Sequence, residues 1–409
     1  MTAEARPART DLVVMYGLVI MQVLFYFDAS ALLPFMNDGV KNAVSIVLLA
    51  VVAVLSLLRA QSGSPLRFDL RLLPVLGFVL AYVVALVFTP YTDLPQFYAG
   101  KISKLLLISV PSILALNYVR WTPALAGRTF GFFNAMLLVV LADGSYQLLR
   151  GASYVSRDES FGIDPISLGR AAGFCTLYAL VKMATTSDMR RRHAAMYVPA
   201  LMFCGSVMFA SGSRGPLIAL AVAFFSSAVL IRTVRYRLRV LSFAALALLL
   251  GVVGVSYLLQ NDVASTGRVL SFLQGDLNVD RSAEIRSQMY LDVLQAIPQH
   301  LLGLGQAASQ VYTAYDLKYP HNLFLEVQLE GGVAVTALLV LAIAVAYRTS
   351  RRAVGGTQVL VPVTLTYFLV NSQFSGDISS NRFVLLMLAI AAVSHAAPAM
   401  RGALSKEAI

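Results

Sequence analysis

Residues 318–347 read KYPHNLFLEVQLEGGVAVTALLVLAIAVAY, a polar stretch that passes directly into a long apolar run. The run contains no charged residue and has the composition of a helix that crosses lipid. The polar stretch before it contains His321, Glu326 and Glu330. Ionisable side chains at membrane depth are costly unless they face a bundle interior or a wet cavity. The stretch therefore predicts a membrane helix whose first turns have a specific role.

The composition of the whole chain supports a membrane protein. Of its 409 residues, 58% are hydrophobic and 13% are charged, which leaves too little polar surface for a soluble globular protein. Continuous apolar runs of about 20 residues recur, whereas a membrane β-barrel would show alternation over about ten positions. We predict an all-α polytopic membrane protein that forms a single integral membrane domain, residues 1–409.

The apolar runs predict about twelve spans. They are 12–34, 40–58, 72–90, 101–118, 128–149, 165–185, 194–211, 215–231, 239–259, 321–347, 357–373 and 382–400. Most of the 32 basic residues lie in the alternate connections, which the positive-inside rule assigns to the cytoplasm. Both termini are then cytoplasmic, and a long loop, 260–320, between the ninth and tenth spans faces the opposite side. The net charge of +11 thus reflects topology and does not indicate nucleic acid.

The basic residues on the opposite side are exceptions to this rule, and most are expected to reach lipid headgroups or solvent. They are Lys41, Lys101, Lys104, Arg150, Arg157, Arg170, Arg214, Arg268, Arg281, Arg286, Lys318 and Arg382.

Arg214 lies in a short turn, SGSRGP (211–216), before the eighth span. Two glycines permit tight backbone geometry, Ser213 supplies a hydroxyl, and the next helix begins with unpaired N–H groups. A guanidinium beside a helix start suits a phosphate. An ordinary tight turn whose arginine reaches the headgroups is the alternative.

The long loop contains DRSAEIRSQMYLDVLQAIPQ (280–299), whose apolar residues recur at helical spacing. We expect a helix along the membrane surface, with Arg286 and Tyr290 on one face and Arg281 just before them. A simple amphipathic lid is the alternative. The run GLGQ (303–306) is expected to be a flexible connection back to the tenth span.

His321 is the histidine of interest among the four in the chain, because it combines the opposite side, a helix start and polar neighbours. A neutral imidazole can accept a proton from a hydroxyl. Alternatively, His321 and Asn322 only cap the helix. Glu326 and Glu330 could orient His321, bind a cation or pair with an arginine, and their spacing leaves these alternatives open.

The residues on this side show no Asp-x-Asp pair, no His-x-x-x-His and no nucleotide-binding glycine loop. Arginines without a metal motif suit a phosphorylated leaving group that arrives already activated. The two cysteines show neither disulfide nor metal spacing. The sequence thus predicts chemistry without a metal or another cofactor.

Three elements in this order, SGSRG (211–215), an arginine-bearing loop helix and PHN (320–322) followed by Gly332, resemble the O-antigen ligase and Wzy-type polymerase superfamily. The family's usual second small residue is replaced by Val335. The resemblance implies a GT-C-type glycosyltransferase with twelve spans in the bacterial inner membrane. It also implies a periplasmic active site and metal-independent transfer of a glycan from undecaprenyl diphosphate.

The resemblance also implies roles for particular residues. Arg214 and Arg286 would hold the lipid diphosphate, and His321 would activate or position the acceptor hydroxyl. Arg281 and Arg170 are weaker candidates for substrate binding, together with Tyr290, Asn322 and Ser213.

The leading hypothesis is an O-antigen ligase of lipopolysaccharide biosynthesis, with lipid A–core as acceptor and membrane lipids as surroundings. A Wzy-type polymerase, which joins repeat units to one another, is the alternative within the superfamily. A transporter, with Glu326, Glu330 and the arginines along its path, is the hypothesis from another class.

Overall fold

The structure, a computed structural model, describes residues 8–26, 38–61, 68–88, 95–149, 165–185, 191–211, 213–230, 237–242, 281–305, 308, 319–351 and 356–394. These residues form helices and connections, with no strand among them. Most of the predicted ninth span, and the first part of the long loop, lie outside the described residues.

The helices are labelled in chain order. They are α1 (Arg9–Tyr26), α2 (Asp38–Gln61), α3 (Leu73–Val87), α4 (Pro95–Lys104), α5 (Val110–Leu116), α6 (Pro123–Leu149), α7 (Pro165–Thr185), α8 (Arg191–Ala210), α9 (Arg214–Leu230), α10 (Arg281–Ala296), α11 (Leu323–Ser350), α12 (Leu360–Asn371) and α13 (Arg382–Val393). A 3₁₀ turn, Leu70–Leu72, precedes α3, and a π-helical segment, Leu105–Ser109, joins α4 to α5.

Every predicted span except the ninth overlaps a described helix over most of its length, which confirms an all-α membrane protein. Among the described residues, four helical stretches are long and apolar enough to cross a membrane by length and composition: Leu70–Val87, Phe97–Leu116, Pro123–Asp143 and Leu323–Ser350. Four shorter apolar helices are Met196–Met208, Arg214–Leu230, Leu360–Asn371 and Arg382–Val393. The total of twelve spans and their orientation remain predictions.

The centre of the bundle is formed by α12 and α13, in which nearly every side chain is buried. The first of these packs on α9, and the second on α11. Rings of Phe133, Phe174, Phe368 and Phe383 pack together between α6, α7, α12 and α13. Apolar side chains at the periphery, such as Val84 and Val229, are exposed, as lipid-facing side chains are in a membrane bundle.

Helix α11 is interrupted at Gly332, where φ is +76° and ψ is −176°. A side chain at Gly332 would overlap the backbone of Leu302, so both the dihedral angle and the space require glycine. The predicted continuous span 321–347 is therefore two half-helices. We call residues 323–331 the upper half-helix.

The break is filled by residues 301–305. The Leu304 and Gly305 N–H groups donate to the carbonyl oxygens of Leu329 (2.8 Å) and Glu330 (2.9 Å), and the Val333 N–H donates to the Leu301 carbonyl oxygen at 2.8 Å. Backbone groups at membrane depth need such partners, because lipid offers none. Two residues of the run GLGQ, Leu304 and Gly305, are thus hydrogen-bonded to the backbone of α11, whereas the sequence predicted a flexible connection.

Candidate functional site

The tip of the upper half-helix is fixed by Asn322. Its side-chain oxygen accepts hydrogen bonds from the N–H groups of Phe324 and Leu325, each at 3.1 Å, so Asn322 is the N-cap of α11. His321, immediately before it, has a φ of +54°, in the left-handed region. The predicted helix start is confirmed, and His321 lies in a backbone conformation that asparagine and histidine adopt more often than most residues.

Several predicted site residues meet at one short connection, residues 371–375, between α12 and α13. The Arg286 Nη1 donates to the Phe374 carbonyl oxygen at 2.9 Å. The Tyr290 hydroxyl donates to the Gln373 carbonyl oxygen at 3.2 Å, and the Asn322 Nδ2 approaches the same oxygen at 3.5 Å. We call residues 371–375 the carbonyl segment, because its backbone oxygens receive these donors.

Arg170 also belongs to this arrangement, although it lies inside the bundle. Its side chain is 4% exposed, and its Nη2 donates to the Ser375 carbonyl oxygen at 2.8 Å. The Tyr367 hydroxyl donates to the Arg170 carbonyl oxygen at 2.9 Å. Arg170 therefore fixes the carbonyl segment from within, and the expectation that it reaches headgroups or solvent was wrong.

The turn that contains Arg214 packs against the same segment. Arg214 is the first residue of α9 and is half-buried. A Cβ atom on its neighbour Gly215 would lie 3.0 Å from the Phe374 Cβ, so glycine permits this close approach. The Ser211 hydroxyl accepts from the Ser213 N–H at 3.3 Å, which closes the turn. The Arg214 turn thus lies against the residue whose carbonyl binds Arg286.

Helix α10 contributes to the arrangement from outside the bundle. Met289 and Val293 are buried against Leu329 of the upper half-helix. Burial raises the pKa of Tyr290, although Arg286 and Asn322 oppose this effect, so its hydroxyl remains a hydrogen-bond donor near neutral pH. Arg281 begins α10, but its side chain lies outside the described set.

Glu326 and Glu330 have a partner that the sequence did not identify. The Lys101 Nζ lies 2.5 Å from the Glu326 Oε1 and 2.7 Å from the Glu330 Oε2, and all three side chains are fully buried. The Tyr82 hydroxyl donates to the Glu330 Oε2, and the Lys101 ammonium also lies over the rings of Tyr82 and Tyr98. We call Lys101, Glu326 and Glu330 the charge cluster.

Lys101 and Arg382 do not reach headgroups or solvent, although the sequence predicted this of most basic residues on this side. Lys101 is 1% exposed and Arg382 is 3% exposed, and the Arg382 Nη1 donates to the Ser379 carbonyl oxygen at 2.9 Å. In the sequence, the cluster was visible only as Lys101 in one apolar run and as Glu326 and Glu330 before another. Charge inside a membrane bundle must be paired there, but this rule alone does not select Lys101 as the partner of the two glutamates.

Metal ligation has no support in the described part of the chain, where no group of three or more His, Cys, Asp or Glu residues is placed to hold an ion. Cys175 and Cys204, which the sequence predicted to be unbridged, are both buried free thiols.

Comparison with known protein families identifies the segment that carries this arrangement. Residues 199–340 match the family described as O-Antigen ligase. Over these residues the chain is similar to the O-antigen ligase and Wzy superfamily. No curated protein matches it.

The matched segment runs from within α8 to the second half of α11 and includes Arg214, Arg286 and His321. Members of this family are membrane glycosyltransferase-like enzymes, ligases or polymerases, and the family implies lipid-linked glycan substrates. Lys101 and the carbonyl segment lie outside the matched residues.

Proposed function

We propose that the protein is an O-antigen ligase of the GT-C type. It transfers a glycan from undecaprenyl diphosphate to a sugar hydroxyl of lipid A–core, at the periplasmic face of the bacterial inner membrane. The observation that supports this most strongly is the meeting of the Arg286 helix, the Arg214 turn and the His321 helix start around the carbonyl segment.

Arg214 and Arg286 hold the diphosphate of the donor. Arginine suits this role because its planar fork binds phosphate oxygens through two hydrogen bonds and keeps its charge. Arg214 is also the first residue of α9, so the N–H groups of that helix start add to the attraction for an anion. As the bond between the glycan and the diphosphate breaks, these groups stabilise the charge on the departing undecaprenyl diphosphate.

His321 acts on the acceptor. Its imidazole accepts the proton of the sugar hydroxyl as the oxygen attacks the anomeric carbon of the donor. The Asn322 cap and the Leu323 N–H, which donates to the Ser372 carbonyl oxygen at 3.0 Å, fix the backbone beside His321. Tyr290, Ser213 and Arg281 are the remaining substrate contacts in this proposal, and no metal or other cofactor takes part.

The Wzy-type polymerase uses the same donor but another glycan as acceptor. The single long loop before the His321 helix and the twelve predicted spans favour the ligase. The transporter hypothesis loses its main support, because Glu326 and Glu330 are buried against Lys101 and do not line an open path.

The test is an assay of the purified protein with a lipid-linked glycan, with and without lipid A–core, in the presence and absence of a chelator. A ligase joins the glycan to lipid A–core, requires that acceptor and is insensitive to the chelator. Glycan ladders formed without lipid A–core would show a polymerase, and absence of any transfer would contradict both reactions.

A further inference from the structure

We propose that Lys101, Glu326 and Glu330 are positioning residues that set the location of the Arg286 guanidinium. This inference rests on the proposed function only for its activity measurement, because the positioning itself is a property of the fold. None of the three residues touches the candidate site, so they act through the backbone connections described below.

The cluster first fixes the upper half-helix to a second helix of the bundle. Lys101 comes from α4, whereas both glutamates come from the upper half-helix, one turn apart. Because the single ammonium binds both carboxylates, at 2.5 and 2.7 Å, it sets both the rotation and the height of this half-helix. The backbone break at Gly332 separates the half-helix from the rest of α11, so such an anchor is required above the break.

Glu326 connects the cluster to the chain that follows the carbonyl segment. Its Oε1, which binds Lys101, also accepts from the Ile378 N–H at 3.3 Å. Just before Ile378, the Asp377 carboxylate accepts hydrogen bonds from Ser379 (2.7 Å) and Ser380 (2.9 Å), which makes a closed turn. This turn follows directly after Ser375, so Glu326 fixes the connection whose Phe374 carbonyl binds Arg286.

Glu330 connects the cluster to the helix that carries Arg286. Its main-chain carbonyl accepts from the Gly305 N–H at 2.9 Å, while its side chain binds Lys101. Residues 301–305 follow α10 after a single 3₁₀ turn, and α10 packs on Leu329 beside Glu330. The upper half-helix is therefore hydrogen-bonded to both sides of the Arg286–Phe374 contact. Glu326 binds the chain that follows Phe374, and Glu330 binds the chain that follows the helix of Arg286.

Stability alone is a poor explanation for this arrangement. A buried ion pair contributes little net stability compared with apolar side chains of the same volume, because its desolvation offsets the attraction. The Glu326 Oε2 is also buried without a hydrogen-bond partner within the described residues. Desolvation of these charges is unfavourable, but their hydrogen bonds and ion pairs fix the positions of the helices that carry them. We therefore explain the network by the geometry that it imposes on the site.

Glu326→Leu is the sharpest test, because it removes the Ile378 acceptor and leaves Lys101 balanced by Glu330. We expect hydrogen–deuterium exchange of the peptide containing Ile378 to accelerate about tenfold or more, while residues 301–305 stay protected. In the ligation assay, kcat should fall about tenfold or more, while the KM for lipid A–core changes less than about threefold.

The triple variant Lys101→Met/Glu326→Gln/Glu330→Gln is the second test, because it removes the ammonium together with both carboxylates that bind it, while Asp377 keeps its hydrogen bonds from Ser379 and Ser380. It should insert and fold, with at most a modest loss of melting temperature from the removal of Lys101 beside Asp377, yet lose protection at both the Ile378 peptide and residues 301–305. The control is Asp69→Asn/Arg71→Gln, which removes a partly exposed ion pair and should leave exchange and transfer unchanged.

Unchanged exchange at Ile378 in both cluster variants, or accelerated exchange with unchanged kcat, would overturn the positioning role. A wild-type protein without transfer activity would contradict the proposed function alone, and the exchange measurements would still decide whether the cluster positions the site.

Discussion

The Arg286 guanidinium and the Phe374 carbonyl oxygen, 88 residues apart in the chain, lie 2.9 Å from each other. This hydrogen bond joins the surface helix α10 to the centre of the bundle. The Arg214 turn packs on the side chain of the same Phe374 through Gly215. A rigidly oriented guanidinium at this point is what recognition of a diphosphate requires.

We expect Arg286→Lys to lower glycan transfer about tenfold or more, because an ammonium cannot form two parallel hydrogen bonds to a phosphate. The initial rate with lipid-linked donor is the measurement. The matched control is Arg281→Lys, five residues earlier, which should cost less. A larger loss for Arg281→Lys would assign the diphosphate contact to Arg281 instead.

His321→Asn is expected to lower kcat about a hundredfold or more, which is the usual contribution of a general base. Asparagine is preferable to alanine in this test, because it tolerates the φ of +54° at this position. His300→Asn, a change of the same type on the half-buried histidine after α10, is the control and should keep its activity. Near-normal turnover by His321→Asn would refute the role of the imidazole.

The sequence was sufficient for the helices and for the cap at Asn322. Apolar runs and an asparagine before a helix are local signals, and the structure contains a helix at each run that it describes. The family motif around Arg214, Arg286 and His321 is likewise readable without a structure, although the roles of these residues remain predictions.

The charge cluster and the carbonyl segment could not be located in the same way. Lys101 lies 225 residues from Glu326, and hydropathy treats each of them as a separate exception. The acceptors of the carbonyl segment are backbone oxygens, which every residue has, so no side-chain pattern indicates them. The break at Gly332 had a local signal, since two adjacent glycines lie in an apolar run. Residues 301–305, which fill the break, have no sequence pattern that predicts this contact.

Gly332→Ala should destabilise the protein by about 3 kcal/mol or more, because a methyl group would overlap Leu302 and the φ of +76° disfavours alanine. Thermal unfolding in detergent is the measurement. The control is Gly205→Ala in α8, where an added methyl group meets nothing within 4 Å and helix propensity favours alanine by up to about 1 kcal/mol. Equal melting temperatures for the two variants would contradict the described break.

Asp377→Asn should lower stability at neutral pH, and the difference from the wild type should disappear in acid. Burial alone would raise the pKa of Asp377, but Lys101 and the hydrogen bonds from Ser379 and Ser380 outweigh it and hold the pKa below its usual value. A carboxylate with a lowered folded-state pKa stabilises the fold above its unfolded pKa, near 4, and loses this contribution as pH falls through the folded value. Melting temperatures measured from pH 7 downward should therefore converge, and a constant difference would contradict this assignment.

The most direct test of the proposed site is a cryo-electron microscopy structure of the protein with bound undecaprenyl diphosphate. We expect the diphosphate to contact Arg214 and Arg286 beside the carbonyl segment, with His321 facing the position where the glycan would be attached. A diphosphate bound elsewhere in the bundle, away from both arginines, would contradict the account.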